Sequence, residues 1–387
     1  MEMLMIAEKV LFGLAAVAGA YLFVFALFSL AGKPKRYPPA RRRRRTVVLV
    51  PAYREDAVVG ACVDSLLRQD YPKEDYDIVV ISDRMTEETD RKLAALPVRL
   101  LRPRFEESSK AKALRYAMER LEGENYEIAV VLDADNTVEP GFLRDINAAF
   151  DFGLKAVQTH RTAGNRNTDT AVLDAVSEEI NNSVFRRGHI ALGFSAALSG
   201  SGMAFDYGWF RRNVPCLRSA GEDKELELLL LGQRVFVDYL DDTRVYDEKV
   251  QEEKVFYGQR RRWLAAQFGS LGAGLRGLPR AILTVNFDYC DKVLQWMMPP
   301  RILLLGGTGL MAAVMTLADW TASLKWWGLL LAILFALAFA VPDELVDARF
   351  KRALRKAPLL GLMMAANLFR LRGVNRKFIH TAHGPNA

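Results

Sequence analysis

The sequence predicts an α/β domain set between apolar helices that cross a membrane. The 387 residues are 51% hydrophobic yet 26% charged, and the apolar residues cluster toward the two ends whereas the charged residues fill the middle. Short β-branched runs alternate with amphipathic helical segments from residue 46 onward, a pattern typical of a doubly wound sheet with right-handed crossovers. Long charge-free runs flank this region, and their length is that of spanning helices.

The first apolar run covers residues 10–31 and contains no charged residue. At a helical rise of about 1.5 Å per residue, it crosses a hydrocarbon core of about 30 Å. A cleaved signal peptide is the alternative, but the run is longer than a signal core and lacks a clear small-residue cleavage site. We therefore predict a transmembrane helix here.

A basic segment follows at residues 33–45, with Lys33, Lys35, Arg36 and an arginine run over residues 41–45. By the positive-inside rule it lies in the cytoplasm, next to membrane lipids. Nucleic acid or a cyclic dinucleotide are the other ligands that such a run suggests. No nucleic-acid reading motif and no second half of a dinucleotide module follow, so we expect no nucleic-acid partner.

Two further apolar runs, residues 302–318 and 326–342, predict a transmembrane hairpin that returns the basic C-terminal tail to the cytoplasm. Residues 264–283 and 357–369 are apolar but interrupted or flanked by arginines, which favours helices lying in the membrane interface. A buried helix of the central domain is the alternative for the first of them. The sequence thus predicts a multi-pass protein of the cell (inner or plasma) membrane with a cytoplasmic central domain.

The predicted organisation has six parts: a transmembrane helix (1–32), a basic juxtamembrane linker (33–45), the α/β domain (46–263), interfacial helices (264–300), a transmembrane hairpin (301–343), and a cytoplasmic interfacial helix with its tail (344–387).

Within the α/β domain, acidic residues stand where predicted strands end. Glu55 follows the first strand, Asp83 ends the second, and Asp133 and Asp135 follow the fourth. Because ligands bind at the carboxyl ends of the strands in such sheets, we expect these carboxylates to share one site. Asp133 and Asp135 suit Mg²⁺ or Mn²⁺ bound to a diphosphate, although Asp-x-Asp pairs also occur in ordinary turns.

Other segments are less specific alone. Asp223 opens a predicted helix, where it acts either as an N-cap, the commoner role, or as a general base. Arg262 and Trp263 offer a fixed charge and a flat apolar surface, or form an interfacial belt. Lys110 begins a helix near the expected phosphate site, and the loop at residues 199–202 permits close backbone approach.

Taken in order, these segments resemble the family-2 inverting glycosyltransferases with a GT-A fold, in the membrane-embedded branch of cellulose and hyaluronan synthases. The resemblance covers about residues 46–263. It rests on the order and spacing of Pro51-Ala52-Tyr53-Arg54-Glu55, Asp83, Ser109-Lys110-Ala111, Asp133-Ala134-Asp135, Gly200-Ser201-Gly202, Gly221-Glu222-Asp223 and Gln259-x-x-Arg262-Trp263.

The resemblance implies roles for individual residues. Asp223, rather than Glu222, takes the position of the family's base, and Asp135 that of the metal ligand. The residues implied to bind the nucleotide sugar are Pro51, Tyr53, Glu55, Asp83, Lys110 and Asp133. Those implied for the acceptor and diphosphate are Gly200, Ser201, Gly202, Gln259, Arg262 and Trp263, and a looser match to a gating segment includes His380, Thr381 and His383.

The expected function is transfer of a sugar from a UDP-sugar, with Mg²⁺ or Mn²⁺, to a growing polysaccharide. Single transfer to a membrane lipid is the alternative, and an inactive binding subunit of a glycan export complex is a third hypothesis. Arg84 stands where relatives often carry an acidic or amide residue, which leaves the donor base open. Three spans are few for a polymer channel in one chain, and the oligomeric state stays open.

Overall fold

The computed structural model of the chain describes residues 2–219 and 221–368. Within them, one mixed sheet has the strand order β3-β2-β1-β4-β7-β6-β8-β5. Its strands are β1 (Thr46–Tyr53), β2 (Tyr76–Asp83), β3 (Arg99–Leu101), β4 (Ile128–Val131), β5 (Thr137–Val138), β6 (Ala156–Ala163), β7 (Met203–Asp206) and β8 (Asp238–Asp247).

The first half of the sheet is the parallel arrangement that the sequence predicts. Strand β1 pairs in parallel with β2 and β4, and β2 with β3. The second half was not predicted: β7 runs antiparallel to both β4 and β6, whereas β6 and β8 are parallel. The carboxyl ends of β1, β2 and β4 therefore meet at one edge, where a ligand site is expected.

The helices are α1 (Glu2–Ala31), α2 (Val59–Leu67), α3 (Glu87–Ala94), α4 (Lys110–Arg120), α5 (Phe142–Asp151), α6 (Asp169–Asn182), α7 (His189–Ala191), α8 (Tyr207–Asn213), α9 (Glu222–Gly232), α10 (Glu253–Leu283), α11 (Phe287–Met297), α12 (Arg301–Ala318), α13 (Trp320–Ala340), α14 (Ala348–Ala353) and α15 (Ala357–Leu368). A π-helical turn, Ser183–Gly188, joins α6 to α7.

Apolar clusters cover both faces of the sheet. Val47 and Leu49 of β1 pack into one cluster, and Val48 and Val50 into the other, all with no exposed surface. A strand buried on both faces requires a continuous apolar run, which explains the β-branched sequence at the start of the domain. This packing fixes the edge on which the site is built.

Three helices are long and apolar enough to cross a membrane, over Met5–Ala31, Arg301–Ala318 and Trp320–Ala340. The second helix of the predicted hairpin begins earlier than its apolar run at residue 326, because α13 starts at Trp320. The Asp319 carboxylate caps this helix by accepting from the Ala322 N–H at 3.1 Å. The boundary predicted at residue 263 falls inside α10, since one helix covers Glu253–Leu283.

Helix α1 packs on the π-helical turn as well as on α13. A Cβ atom at Gly188 would collide with the Phe25 carbonyl oxygen of α1, so only glycine permits this close approach. The Ser183 hydroxyl donates to the Ala340 carbonyl at 2.7 Å. These contacts join α1 and α13 to the π-helical turn of the α/β domain.

The basic linker lies along the acidic surface of the domain. Lys35 pairs with Asp238 at 3.2 Å, and Arg36 with Asp242 at 2.8 Å. The arginine run continues the pattern through the pairs Arg42–Glu127, Arg44–Glu127 and Arg45–Asp77. The linker therefore sets the position of the domain relative to α1.

Candidate active site

Strands β1 and β2 end in the residues predicted to bind a nucleotide. Tyr53 and Asp83 are register partners at the ends of their strands. Asp83 is buried, and its Oδ1 has no hydrogen-bond partner in the part of the chain that the structure describes. Burial raises the pKa of Asp83, against the nearby positive charges of Arg84 and Arg54. A buried acceptor aimed at a cavity suits a ligand N–H.

The departure at Arg84 has a structural explanation. Its guanidinium donates to the carbonyl oxygens of Phe105 at 3.1 Å and Glu106 at 3.0 Å. Arg84 thus holds the loop before α4 and leaves Asp83 to face the cavity, which Pro51, Tyr53 and Glu55 also line.

Asp133 and Asp135 lie on the turn that follows β4, and Ser201 holds this turn from behind. The Ser201 hydroxyl accepts from the Asp133 N–H at 2.9 Å and donates to Asn136 Oδ1 at 2.5 Å. Ser201 has no exposed surface. Gly202, at φ 65°, leaves no room for a side chain beside Thr159. Ser201 and Gly202 therefore support the Asp133 turn without lining the cavity, whereas Gly200 lines it.

Lys110 begins α4 and joins three parts of the site. Its ammonium contacts the Asp133 carboxylate and donates to the Gly200 carbonyl at 2.7 Å, and Glu222 lies 3.3 Å away. Burial alone would lower the pKa of Lys110, but the carboxylates of Asp133 and Glu222 outweigh it and raise that pKa. A permanent cation beside Asp133 can neutralise a diphosphate.

Glu222 and Asp223 open α9 and differ in surroundings. Gly221 is the N-cap, without a side-chain cap hydrogen bond, so the N-cap interpretation of Asp223 is wrong. Burial raises the pKa of Glu222 to about 7, helped by Asp223 and opposed by Lys110. Asp223 lines the cavity, and its Oδ1 accepts the neighbouring Lys224 N–H at 2.8 Å.

Gln259, Arg262 and Trp263 lie on α10 and line the same cavity. Burial lowers the pKa of Arg262. The ring of Trp263 lies 4.5 Å from the Arg260 guanidinium, a cation–π contact. They share this cavity with the strand-end carboxylates, and their predicted role toward the acceptor and diphosphate stays a prediction.

A buried cluster of charged residues contacts the turn that carries Asp133 and Asp135, and the sequence did not predict this cluster. Asn136 Nδ2 donates to Asp135 Oδ1 and to Asp247 Oδ1, both at 3.0 Å. Arg161 and Lys249 bind the other oxygen of Asp247 at 2.9 and 2.7 Å. Burial would raise the pKa of Asp247, but these two cations hold it well below its usual range. The position of Asp247 at the end of β8 was the available signal.

The donor set fits a divalent metal shared with a diphosphate. Asp133 and Asp135 place hard carboxylate oxygens on one turn of the cavity wall. Among the described residues, no three His, Cys, Asp or Glu side chains group together as a metal site. Mg²⁺ is commonly held by one or two carboxylates together with substrate phosphates, which is the set available here.

One cavity of about 1040 Å³ contains most of the predicted site. The predicted residues on its wall are Pro51, Tyr53, Glu55, Asp83, Lys110, Asp133, Asp135, Gly200, Asp223, Gln259, Arg262 and Trp263. It continues to apolar side chains of the candidate membrane helices, among them Leu22, Leu304, Leu334 and Leu337. The gating residues His380, Thr381 and His383 lie outside the described residues.

A mixed sheet with strand-end carboxylates, a buried lysine and an acidic helix start defines a GT-A type glycosyltransferase. Residues 43–266 match the family described as "Glycosyltransferase like family 2". The chain belongs to this family, as the sequence predicted; its membership of the membrane-synthase branch stays a prediction.

Two curated relatives are beta-monoglucosyldiacylglycerol synthases, from Nostoc sp. and Trichormus variabilis. Each is 27% identical over 268 residues, which cover 65% of this chain. The chain spans about half the length of these relatives, 54%. A similar solved structure is the mannosyltransferase PcManGT from Pyrobaculum calidifontis in complex with GDP-Man and Mn²⁺. It has 19% identity and a TM-score of 0.56, with 86% of this chain and 97% of that chain covered, and shows the fold alone.

Proposed function

We propose that this glycosyltransferase transfers a sugar from a UDP-sugar to a membrane lipid, with inversion and with a divalent metal. The observation that carries the proposal is the single cavity, which joins the nucleotide end of the sheet to apolar side chains of α1, α12 and α13. Asp223 lies on the wall of this same cavity. The curated relatives, named as glycolipid synthases, support the lipid acceptor over the polysaccharide.

The donor nucleotide would lie over the ends of β1 and β2. Asp83 Oδ1 would accept an N–H of the base, and the Tyr53 ring would pack on it. Lys110 would exchange its contact with Asp133 for the diphosphate. Asp133 and Asp135 would hold Mg²⁺ or Mn²⁺, which supplies Lewis-acid stabilisation of the leaving diphosphate.

Asp223 would act as general base and take the proton of an acceptor hydroxyl. The acceptor oxygen then bonds to the anomeric carbon as the bond to the diphosphate breaks on the opposite face, so the configuration inverts. The developing negative charge on UDP is stabilised by Lys110, already placed at the site by Gly200 and Glu222. Gln259, Arg262 and Trp263 would line the acceptor side.

We also propose that α1, α12 and α13 cross the cell membrane with the α/β domain on the cytoplasmic side. The basic linker supports this orientation, because it leaves α1 and runs along the domain. A growing polysaccharide is the second candidate acceptor, favoured by the Gln259-x-x-Arg262-Trp263 segment.

The test uses the full chain in nanodiscs, a panel of UDP-sugars, and Mn²⁺ or Mg²⁺. We expect UDP release together with one added sugar on an extractable lipid. A size ladder of glycan would favour the polysaccharide, and no UDP release with any donor or acceptor would refute the proposal. Asp223→Asn should abolish transfer, whereas Asp64→Asn, an exposed carboxylate on α2, should not.

A further inference from the structure

Arginines stand at the junction between the polar and apolar sections of the cavity. Arg301 is the first residue of α12 and lines the cavity, and Leu304 and Leu305, one turn later, belong to its apolar wall. Arg260 of α10 lines the same cavity. Both guanidinium groups are therefore exposed to a molecule that occupies the polar and apolar sections together.

Arg301 has few partners for its charge. Its Nη2 donates to the carbonyl and hydroxyl oxygens of Ser177, both at 3.2 Å, and its guanidinium lies 5.8 Å from the Phe185 ring. Its Nη1 is buried without a hydrogen-bond partner in the residues that the structure describes, which also contain no carboxylate paired with Arg301. The donors of this guanidinium are therefore only partly satisfied.

Nearby carboxylates are already occupied. Asp174 pairs with Arg260, whose Nε is buried without a partner. Glu178 pairs with Arg186 at 3.0 Å and lies 3.9 Å from Lys249. Because Arg260 is paired with Asp174, the excess positive charge is that of Arg301. A buried charge without a paired carboxylate is unfavourable unless an anion joins it.

We propose that Arg301, with Arg260, binds the phosphate of a lipid whose chains occupy the apolar section of the cavity. Guanidinium groups bind phosphate through paired, charge-assisted hydrogen bonds. The inference rests on the proposed lipid acceptor, and it makes that acceptor a phosphate-bearing lipid with a free hydroxyl rather than a neutral one. Free phosphate has the same head-group chemistry, so the experiment must separate the two.

The test measures lipid retention by native mass spectrometry of the full chain in detergent, with phosphatidylglycerol or diacylglycerol added separately. Arg301→Gln should weaken phosphatidylglycerol binding about tenfold or more, the usual effect of losing a hydrogen bond between charged groups. Arg301→Lys should retain part of the affinity. Diacylglycerol binding should not change, and Arg276→Gln, an exposed arginine of α10 outside the cavity, should behave as wild type.

Unchanged phosphatidylglycerol binding in Arg301→Gln, or an equal loss of both lipids, would overturn the proposal. Displacement of phosphatidylglycerol by inorganic phosphate at comparable concentration would identify a free-phosphate site and overturn the lipid assignment. Stabilisation of Arg301→Gln by UDP would show that the variant is folded. If no lipid receives sugar but Arg301→Gln still loses phosphatidylglycerol, the subsite stands and the proposed function fails.

Discussion

The buried ion pair between Lys292 and Glu227 should contribute far more to stability than an exposed pair of the same type. Lys292 Nζ lies 3.0 Å from Glu227 Oε1, and the side chains are 2% and 3% exposed. Glu227 also accepts the Leu198 N–H at 2.8 Å, just before the loop that holds the Asp133 turn. The pair therefore joins α11 to the active-site wall.

Lys292→Met keeps the length of the side chain but leaves the Glu227 carboxylate buried without its cation. Breaking such a pair destabilises a protein by about 3–5 kcal/mol. At roughly 2–4 °C per kcal/mol for a domain of this size, we expect the melting temperature to fall by about 6–20 °C.

The matched control is Lys92→Met, which breaks the Lys92–Glu88 pair. Its atoms are as close, at 2.7 Å, but its side chains are 74% and 73% exposed. Solvent screens such an exposed pair, so Tm should fall far less than in Lys292→Met.

Thermal unfolding of both variants in the same detergent measures the difference. Adding Glu227→Gln to Lys292→Met should restore most of the lost stability, because the amide keeps an oxygen for Leu198 and removes the stranded charge. Equal shifts for the Lys292 and Lys92 variants, or no recovery in the double variant, would refute the argument from burial.

Three other substitutions test the site and its frame. Folding raises the pKa of Glu222 from 4.5 to about 7, so the stability that its protonated form contributes is lost as pH rises through this window. The Tm of Glu222→Gln should therefore rise relative to that of wild type between about pH 5 and about pH 8. A Tm difference that does not change with pH would contradict the raised pKa. Ser201→Ala leaves the Asp133 N–H without its acceptor. The free energy of unfolding should fall by about 1–3 kcal/mol in thermal unfolding, and kcat should fall in a UDP-release assay. An unchanged kcat would exclude a positioning role for Ser201. Gly188→Ala meets the Phe25 carbonyl and should destabilise by about 1–3 kcal/mol, unlike Gly60→Ala, which meets open space.

The parallel half of the sheet was predictable because its strands β1, β2 and β4 are buried on both faces. Residues Thr46–Tyr53 form such a strand, because a continuous apolar run of this length is typical of a strand in the interior of a parallel sheet. Strand β6 gives no such signal: Gln158, Thr159 and His160 are polar yet buried. Their burial depends on partners that are distant in sequence, as when His160 contacts Glu179 and Asp241 at 3.1 Å. Local pattern carries no information about such pairings.

The same distinction holds in the site, where neighbours at a common strand edge were predictable and contacts between distant segments were not. Asp83, Asp133 and Asp135 were predicted to be neighbours because parallel strands end at a common edge, and they line one cavity. Ser201 was predicted to serve the acceptor or the diphosphate, and its hydroxyl accepts the Asp133 backbone N–H, a contact that the sequence did not predict. The sequence did not predict the role of Asp247, because a charged residue at a strand end is usually solvated. In the structure Asp247 is buried and pairs with Arg161 and Lys249.

Helix α1 was predicted as an anchor, and its contacts argue for more. The Tyr21 hydroxyl donates to Asp291 Oδ1 at 2.8 Å and lies 2.8 Å from His189 Nε2. The Phe25 ring stacks on that imidazole with 3.9 Å between ring centres, and Leu22, between them, lines the cavity. A helix that served only to attach the domain would need no polar side chain in its central turns, because a hydroxyl without a partner is unfavourable in an apolar environment. Because Tyr21 contacts the α/β domain and Leu22 lines the cavity, α1 forms part of the wall of the cavity that holds the candidate active site.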